Sequence, residues 1–550
     1  MERSEKQEQR KKKTNEVKTF LVPFPLETNQ RNLTINSNSD AKISKEQIIN
    51  QAFKFHSKGN IPEASKCYQY FINQGFKDHR VFSNYGTILR DLGKLKDAEL
   101  SYRKAIELNP EFAIAHYNLG STLKSLGNIQ EAESSTRKAI ELKPDLAVAH
   151  SNLGIILREI GKLKEAELST RKAIELKPDL ADAHSNLGNL MNDLGNLPEA
   201  EVFQRKAIEL QPDLAMAYFS LSNLQYSKQN MKWKDQLFSE SILSNKSQKD
   251  HVDIYFARAN ILHKEKNYKE SATYLILANQ LKLILKPSYA DSLINQSKVL
   301  LLESDKQTIN QKEYTGSSQS VFIVGMPRSG STLLESILSM NTNVDDLGES
   351  KILEETFLES NKSDQILTFA ERYWKKIKNR KKQSNITTNK NLYNYLYAGI
   401  IAKTIPNAKI IHCYRNPLDN ILSIYRTHFA VGNQYSSCLV DCARVYLDQE
   451  SIMTEYKKRF RSKIYDLNYD SLVSNPKQEI KSLISWLGWE WDDAYLTPHL
   501  NTRSISTASS VQVRFPINSK SIGGWKNYAN MLKPAIEILT QTDKYREIAS

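Results

Sequence analysis

The segment Gly325-Met326-Pro327-Arg328-Ser329-Gly330-Ser331-Thr332 crowds backbone N–H groups, hydroxyls and a guanidinium into one short stretch. It follows an apolar run, Val321 to Val324, and precedes a helical one, Leu333 to Met340. A strand, a glycine-bounded loop and a helix make an anion cradle, because loop N–H groups and the helix N-terminus converge on one point. The glycine-to-glycine spacing is that of nucleotide phosphate loops, yet Ser331 stands where their lysine belongs, so ATP or GTP hydrolysis loses its main support. Arg328 can instead grip a phosphate through two N–H groups, and Ser329, Ser331 and Thr332 add hydroxyls.

Lys409 to Tyr414 reads as a second buried strand, ending in Arg415-Asn416-Pro417-Leu418-Asp419. Pro417 suits the opening of a helix, and Ser423 falls two turns along on the face near the strand end. Asp419 is expected to orient Arg415 or to cap that helix. His412 is a rival proton acceptor, but inside an apolar strand it reads as a core histidine. No clustered carboxylates or histidine pair accompanies either site, so no metal is expected.

Pro327 to Thr332 resembles the 5′-phosphosulfate loop of the sulfotransferases, which hold 3′-phosphoadenosine 5′-phosphosulfate, the sulfuryl donor. The resemblance implies that Pro327, Arg328, Ser329, Gly330, Ser331 and Thr332 bind this co-substrate. It also implies that Arg415 and Ser423, at the family's interval, bind its 3′-phosphate. A 3′,5′-bisphosphate needs two cationic sites, and the two segments supply them. Thr388-Asn389-Lys390-Asn391-Leu392-Tyr393-Asn394 is similar to the family's Asp-Lys-x-Pro-x-Asn segment, with Asn389 and Leu392 in place of Asp and Pro; Lys390 matches the lysine that touches the moving sulfuryl group. Tyr469 matches the tyrosine that ends the third strand on the adenosine side. Ser506 to Arg514 and Gly523 to Tyr528 resemble the loop that closes over the donor, with Ser509 matching a phosphate-binding serine. Gly524 stands where the family has a basic residue before Trp525, and Lys520 or Lys526 is the expected substitute.

Sulfuryl transfer asks for positioning and charge neutralisation more than for covalent protein chemistry. Arg328 and Lys390 are expected to stabilise the departing bisphosphate. Leu347-Gly348-Glu349-Ser350 lies at the interval where tyrosylprotein sulfotransferases carry a catalytic glutamate, and Glu349 is the expected general base.

These residues need a frame. From Val321 short β-branched runs alternate with helical stretches, the mark of an α/β, P-loop-like domain with a parallel sheet over 321–550. Ahead of it, residues 1–44 read as a disordered polar tail, 45–282 as a solenoid, and 283–320 as a helical connector and linker. In the solenoid Ala64, Ala98, Ala132, Ala166 and Ala200 recur every 34 residues, as do Gly59, Gly93, Gly127, Gly161 and Gly195. That period is the tetratricopeptide signature, an α-helical stack of helix pairs with a concave groove. Residues 81–214 are similar to the repeats of protein O-linked N-acetylglucosamine transferase, which implies that Asn84, Asn118, Asn152 and Asn186 line the groove and pair with peptide backbone. The alternative is that these amides only cap or bridge helices. His116, His150 and His184 share the period on separate helices and are not read as metal ligands.

The chain has 550 residues, 40% hydrophobic and 25% charged, with a formal net charge of +14. One compact core, a fibrous architecture and wholesale disorder are excluded. No apolar run reaches the length of a membrane span, and the N-terminus lacks the apolar core of a signal peptide. Cys67, Cys413, Cys438 and Cys442 are too few for a disulfide framework and read as buried thiols, which suits the cytoplasm. The expectation is a sulfotransferase that moves a sulfuryl group to a hydroxyl or amine. A peptide or protein held by the repeats is favoured as acceptor, a glycan or small molecule remains open, and no nucleic acid partner is expected. The alternatives are an interaction scaffold with a degenerate transferase domain and a P-loop kinase.

Overall fold

The computed structural model describes residues 44–548, except 225–226, 228–230, 307–317, 361–366, 379–383, 430–431, 502 and 506. Residues 1–43 of the expected tail and residues 307–317 of the expected connector and linker lie outside the described residues. Two units are present. The first holds the described residues to Met191 with Glu199–Ala217 and Glu240–Ser247; the second holds Asn192–Pro198, Tyr218–Ser239 and the described residues from Gln248 on.

In the solenoid each repeat is a helix pair, such as Ala113–Ser125 with Ile129–Leu142 and Ala147–Glu159 with Leu163–Leu176. The period-34 glycines end the first helix of each pair in the left-handed conformation, with φ from +72° at Gly59 to +85° at Gly195, where a side chain would be strained. Ala64, Ala98, Ala132, Ala166 and Ala200 are all fully buried, since only a small side chain lets the two helices approach. The period-34 histidines hold the turns between pairs: Nε2 of His116, His150 and His184 lies 2.9 Å from the carbonyl of Pro110, Pro144 and Pro178 respectively. Arg103–Glu131, Arg137–Glu165 and Arg171–Glu199 bridge successive repeats at 2.5 to 2.8 Å, exposed pairs worth only a few tenths to about 1 kcal/mol each.

The second unit is built on a five-stranded parallel sheet in the order β2 (Val344–Asp346), β3 (Ile386–Asn389), β1 (Gln319–Gly325), β4 (Ala408–Tyr414) and β5 (Ile464–Asn468). Central β1 needs apolar residues on both faces, and Val321 to Val324 are completely buried. Val321, Ile323, Ile411 and Leu467 pack with Leu334, Ile337, Ile480 and Leu483 on one side. On the other side Phe322, Val324 and Ile410 share a core with Leu418, Met453 and Leu532. The helices Gln248–Lys264 and Tyr268–Leu285 join that second core through Val252, Phe256, Leu275 and Ala278. A parallel sheet delivers all its strands in one direction, so the loops after Gly325, Asn389, Tyr414 and Asn468 gather at its carboxyl edge, where open α/β sheets bind ligands. Among the described residues no helix is long and apolar enough to cross a membrane.

Candidate active site

Two glycines set the shape of the loop after β1. A Cβ on Gly325 (φ +143°) would fall 2.2 Å from the Cys413 carbonyl of β4, and one on Gly330 (φ +95°) would fall 2.3 Å from Cδ2 of Tyr469. Between them Arg328 takes a left-handed φ of +67°, unusual for a residue with a Cβ. The Asn420 amide donates to the Pro327 carbonyl at 2.9 Å and pins the turn. Ser329 is buried, and its Oγ has no hydrogen-bond partner among the described residues. Gly330 opens the helix Ser331–Leu338, whose first residues Ser331 and Thr332 are buried.

Arg328 does not fold back over its own loop. Its left-handed backbone aims the side chain across the carboxyl edge, where Nε donates to Ser423 Oγ at 3.1 Å and Nη1 to the Ala508 carbonyl at 2.9 Å. Nη1 also donates to Ser509 Oγ, and Nη2 donates to Gln512 Oε1 at 2.8 Å. Arg328 therefore joins Ser423, expected at the 3′-phosphate, and Ser509, expected to bind a phosphate from the closing loop, instead of the loop's own anion. Burial first, then the charges of Arg415 and Arg426, push the Arg328 guanidinium down to about 10.

Arg415 is 7% exposed at the end of β4. Its guanidinium lies 4.7 Å from the Tyr469 ring centroid and donates to the Ser521 carbonyl at 2.6 Å, while Tyr469 Oη meets Ser521 Oγ at 3.0 Å. The expectation for Asp419 needs correction. Asn416 caps the helix Pro417–Tyr425, accepting from the N–H groups of Leu418 and Asp419, and Asp470 is the carboxylate beside Arg415, 3.8 Å away. Asp419 instead accepts the N–H groups of Gly523 and Trp525. A Cβ on Gly524 would meet nothing closer than Asp419 Oδ1 at 3.8 Å, so the missing basic residue is not a steric necessity. Lys520 and Lys526 are exposed on this turn.

On the other side of β1, Lys390 follows β3 and is 1% exposed. Its Nζ donates to Glu349 Oε1 at 2.6 Å and lies 3.9 Å from Oε2 of Glu335. Burial works against its charge, but Glu335 and Glu349 outweigh it and hold Lys390 above the ordinary lysine value. Glu349 has a side chain 61% exposed. Glu335 is 2% exposed and pairs with Arg503 at 2.9 Å. Arg503 also pairs with Asp346, whose other oxygen accepts the Gly348 N–H at 2.7 Å. Sequence reasoning missed Glu335 and Arg503; the available signal was one carboxylate inside the apolar run Leu333 to Leu338, where burial demands a partner.

His412 is buried in β4 with both ring nitrogens engaged, Nδ1 at 3.4 Å from Asp466 and Nε2 at 2.8 Å from Gln449, and burial lowers its basicity. Among the described residues no group of three or more His, Cys, Asp or Glu is placed to hold a metal, and the four cysteines are free thiols.

In the first unit the asparagine series works between helices. Asn118 Oδ1 accepts from Arg90 at 3.4 Å, Asn152 donates to Thr136 at 3.3 Å, and Asn186 donates to Ser151 at 3.0 Å. Asn84 Nδ2 is buried, with the Tyr68 hydroxyl of the preceding helix as its neighbour.

Residues 320–493 match the model described as the sulfotransferase family, residues 86–127 match a TPR repeat model, and 113–146, 147–180 and 180–211 match tetratricopeptide repeat models. An uncharacterized protein of Aquifex aeolicus (strain VF5) is 29% identical over 318 residues, 53% of this chain and 42% of that protein. Protein-tyrosine sulfotransferase 2 of Gallus gallus is 22% identical over 244 residues, 39% of this chain and 66% of its own length. The chain thus spans less than two thirds of either relative. Among solved structures, MamA is 26% identical with a TM-score of 0.27, covering 30% of this chain and 96% of that one.

Proposed function

For a chain that joins tetratricopeptide repeats to a sulfotransferase-family domain, we propose transfer of a sulfuryl group from 3′-phosphoadenosine 5′-phosphosulfate to a hydroxyl, with a peptide or protein as acceptor. The observation that supports this reading is that the glycine-bounded loop after β1, with its buried Ser329, Ser331 and Thr332, lies at the same sheet edge as the cluster in which Arg328 bonds Ser423 and Ser509. In this reading the loop amides and hydroxyls take one phosphate, and Arg328, Arg415, Ser423 and Ser509 take the other. The unpartnered hydroxyl of Ser329 and the mutual repulsion of Arg328 and Arg415 suit an anionic ligand. The donor supplies an activated sulfur; the chain's residues supply alignment and charge. As the acceptor oxygen bonds to sulfur, the bond from sulfur to the bridging phosphate oxygen breaks and its electron pair leaves with the bisphosphate. Glu349 takes the acceptor proton, Lys390 neutralises charge at the sulfuryl group, and Tyr469 flanks the adenosine side. Lys520 and Lys526 are left for outer contacts with the donor.

The relatives named protein-tyrosine sulfotransferases favour a protein hydroxyl; Asn118, Asn152 and Asn186 bond neighbouring helices, so a peptide on the repeats would have to be held by other groups or displace those bonds. The kinase alternative lacks its lysine at Ser331. Isothermal titration of the full chain with adenosine 3′,5′-bisphosphate tests the reading. Arg328→Ala and Arg415→Ala should each remove charge-assisted hydrogen bonds of about 1.5–3 kcal/mol, weakening binding by roughly tenfold to a hundredfold. Tight ATP binding with no bisphosphate binding would favour a kinase, and no binding of either would favour a scaffold.

A further inference from the structure

The cluster around Lys390 contains one more carboxylate than the proposed chemistry uses. Lys390 is enclosed, and the charged or titratable groups facing it are Glu349 from the loop after β2, Glu335 from the helix Ser331–Leu338, and Cys413 from β4. The two glutamates are unlike. Glu349 is 61% exposed and makes the short bond, whereas Glu335 is 2% exposed and stands further off at 3.9 Å. Glu335 is itself fixed by Arg503, which binds its Oε2, and its Oε1 is buried with no hydrogen-bond partner among the described residues.

A general base bonded to a lysine has a conflict. Once the Glu349 carboxylate turns to the acceptor hydroxyl and takes its proton, it stops serving as the counter-charge of Lys390. A buried ammonium with no carboxylate nearby gives up its proton readily. A second, permanently buried carboxylate with an open oxygen resolves the conflict.

Resting on the sulfotransferase reading, we propose that Glu335 is a positioning residue that keeps the Lys390 ammonium charged and in place while Glu349 is engaged by the acceptor. Arg503 in turn pairs with Glu335 and ties it, through Asp346, to the turn that carries Glu349. The Cys413 thiol is pushed upward by burial and stays neutral through the range tested below.

The test measures the affinity of the full chain for 3′-phosphoadenosine 5′-phosphosulfate between about pH 7 and 10, a window chosen around the lysine range. Arg328 titrates near the top of this window in every variant, so each profile is compared with that of the unmutated chain. Glu349→Gln mimics the engaged base and should follow the unmutated profile, because Glu335 still faces Lys390. The double variant Glu335→Gln with Glu349→Gln should lose affinity with a midpoint shifted down by about one pH unit or more. Glu335→Asp with Glu349→Gln should restore the unmutated profile, and adding Lys390→Met to the double variant should leave only the pH dependence shared through Arg328. Should the double variant fail to unfold cooperatively, Glu335→Gln alone is compared with the unmutated chain, where a smaller downward shift is expected. Matching profiles with and without Glu335 would overturn the proposal while leaving the donor reading intact. A wild-type chain that binds no donor at any pH would instead overturn the donor reading, and this proposal with it.

Discussion

Asp419 accepts the backbone N–H of Trp525 at 2.9 Å, and its other oxygen accepts the N–H of Gly523 at 2.7 Å. One buried carboxylate on the helix after β4 thereby latches a turn more than a hundred residues away. The same turn supplies the Ser521 carbonyl to Arg415 and the Ser521 hydroxyl to Tyr469. Asp419→Ala should release the turn, exposing the N–H groups of residues 521–525 to faster hydrogen exchange. It should also weaken bisphosphate binding by about tenfold or more, the scale of one lost charge-assisted hydrogen bond. Unchanged exchange over that stretch would show that the turn is held by other means.

Gly330→Ala carries two costs at once. The alanine must hold a φ of +95°, and its Cβ must displace the Tyr469 ring, which lies 2.3 Å from the position that Cβ would take. Left-handed strain of about 1–2 kcal/mol and overpacking of about 1–3 kcal/mol add up to a loss measurable by urea denaturation. Tyr469→Ala in the same chain relieves the overlap but not the strain, so the double variant should recover part of the loss relative to the two single effects added together.

Ser329 separates stability from binding. Its hydroxyl is buried without a partner, so removing it takes away an uncompensated polar group. Ser329→Ala should leave the melting temperature unchanged or raise it slightly, while the affinity for adenosine 3′,5′-bisphosphate falls by about threefold to tenfold, the scale of one neutral hydrogen bond. A melting temperature that drops with affinity unaltered would mean that the hydroxyl serves the fold.

Much of the scaffold is readable from sequence because its determinants are local. The glycine at each helix end and the alanine at each crossing answer requirements internal to one repeat, so Gly127 and Ala132 announce their roles without knowledge of the rest of the chain. The strand, loop and helix from Val321 to Leu338 are legible for the same reason. What the sequence hides is direction and distant pairing. Arg328 stands in a loop expected to clasp its own anion, and only the left-handed φ shows that it reaches Ser423, Ser509 and Gln512. The Asp419 latch and the Glu335–Arg503 pair join segments separated by more than a hundred residues, and no spacing rule covers them. The asparagine series shows the limit from the other side: its period is plain, yet Asn118, Asn152 and Asn186 each bond a neighbouring helix, so spacing alone does not tell a groove from a bridge.

The pair His412 and Asp466, between β4 and β5, makes the fold sensitive to acid in two steps. Burial keeps the His412 ring neutral in the fold and lowers its basicity, so as pH falls below the ordinary histidine value of 6.5 the unfolded chain takes up a proton that the folded chain refuses. Asp466 is held below its ordinary value of 3.8: burial alone would raise it, but His412, Lys457 and Arg461 outweigh that. Its contribution is therefore complete above the ordinary value and disappears as pH drops through the depressed folded one. Asp466→Asn should lower the melting temperature by a steady amount above the ordinary aspartate value of 3.8, and the gap to the unmutated chain should narrow only as pH falls below 3.8 toward the depressed folded value. The acid sensitivity that begins near the histidine value should shrink when His412→Gln is added. Thermal melts from about pH 7 to pH 2 read both steps, and a gap between Asp466→Asn and the unmutated chain that fails to narrow below pH 3.8 would rule out this carboxylate as an acid-sensitive group.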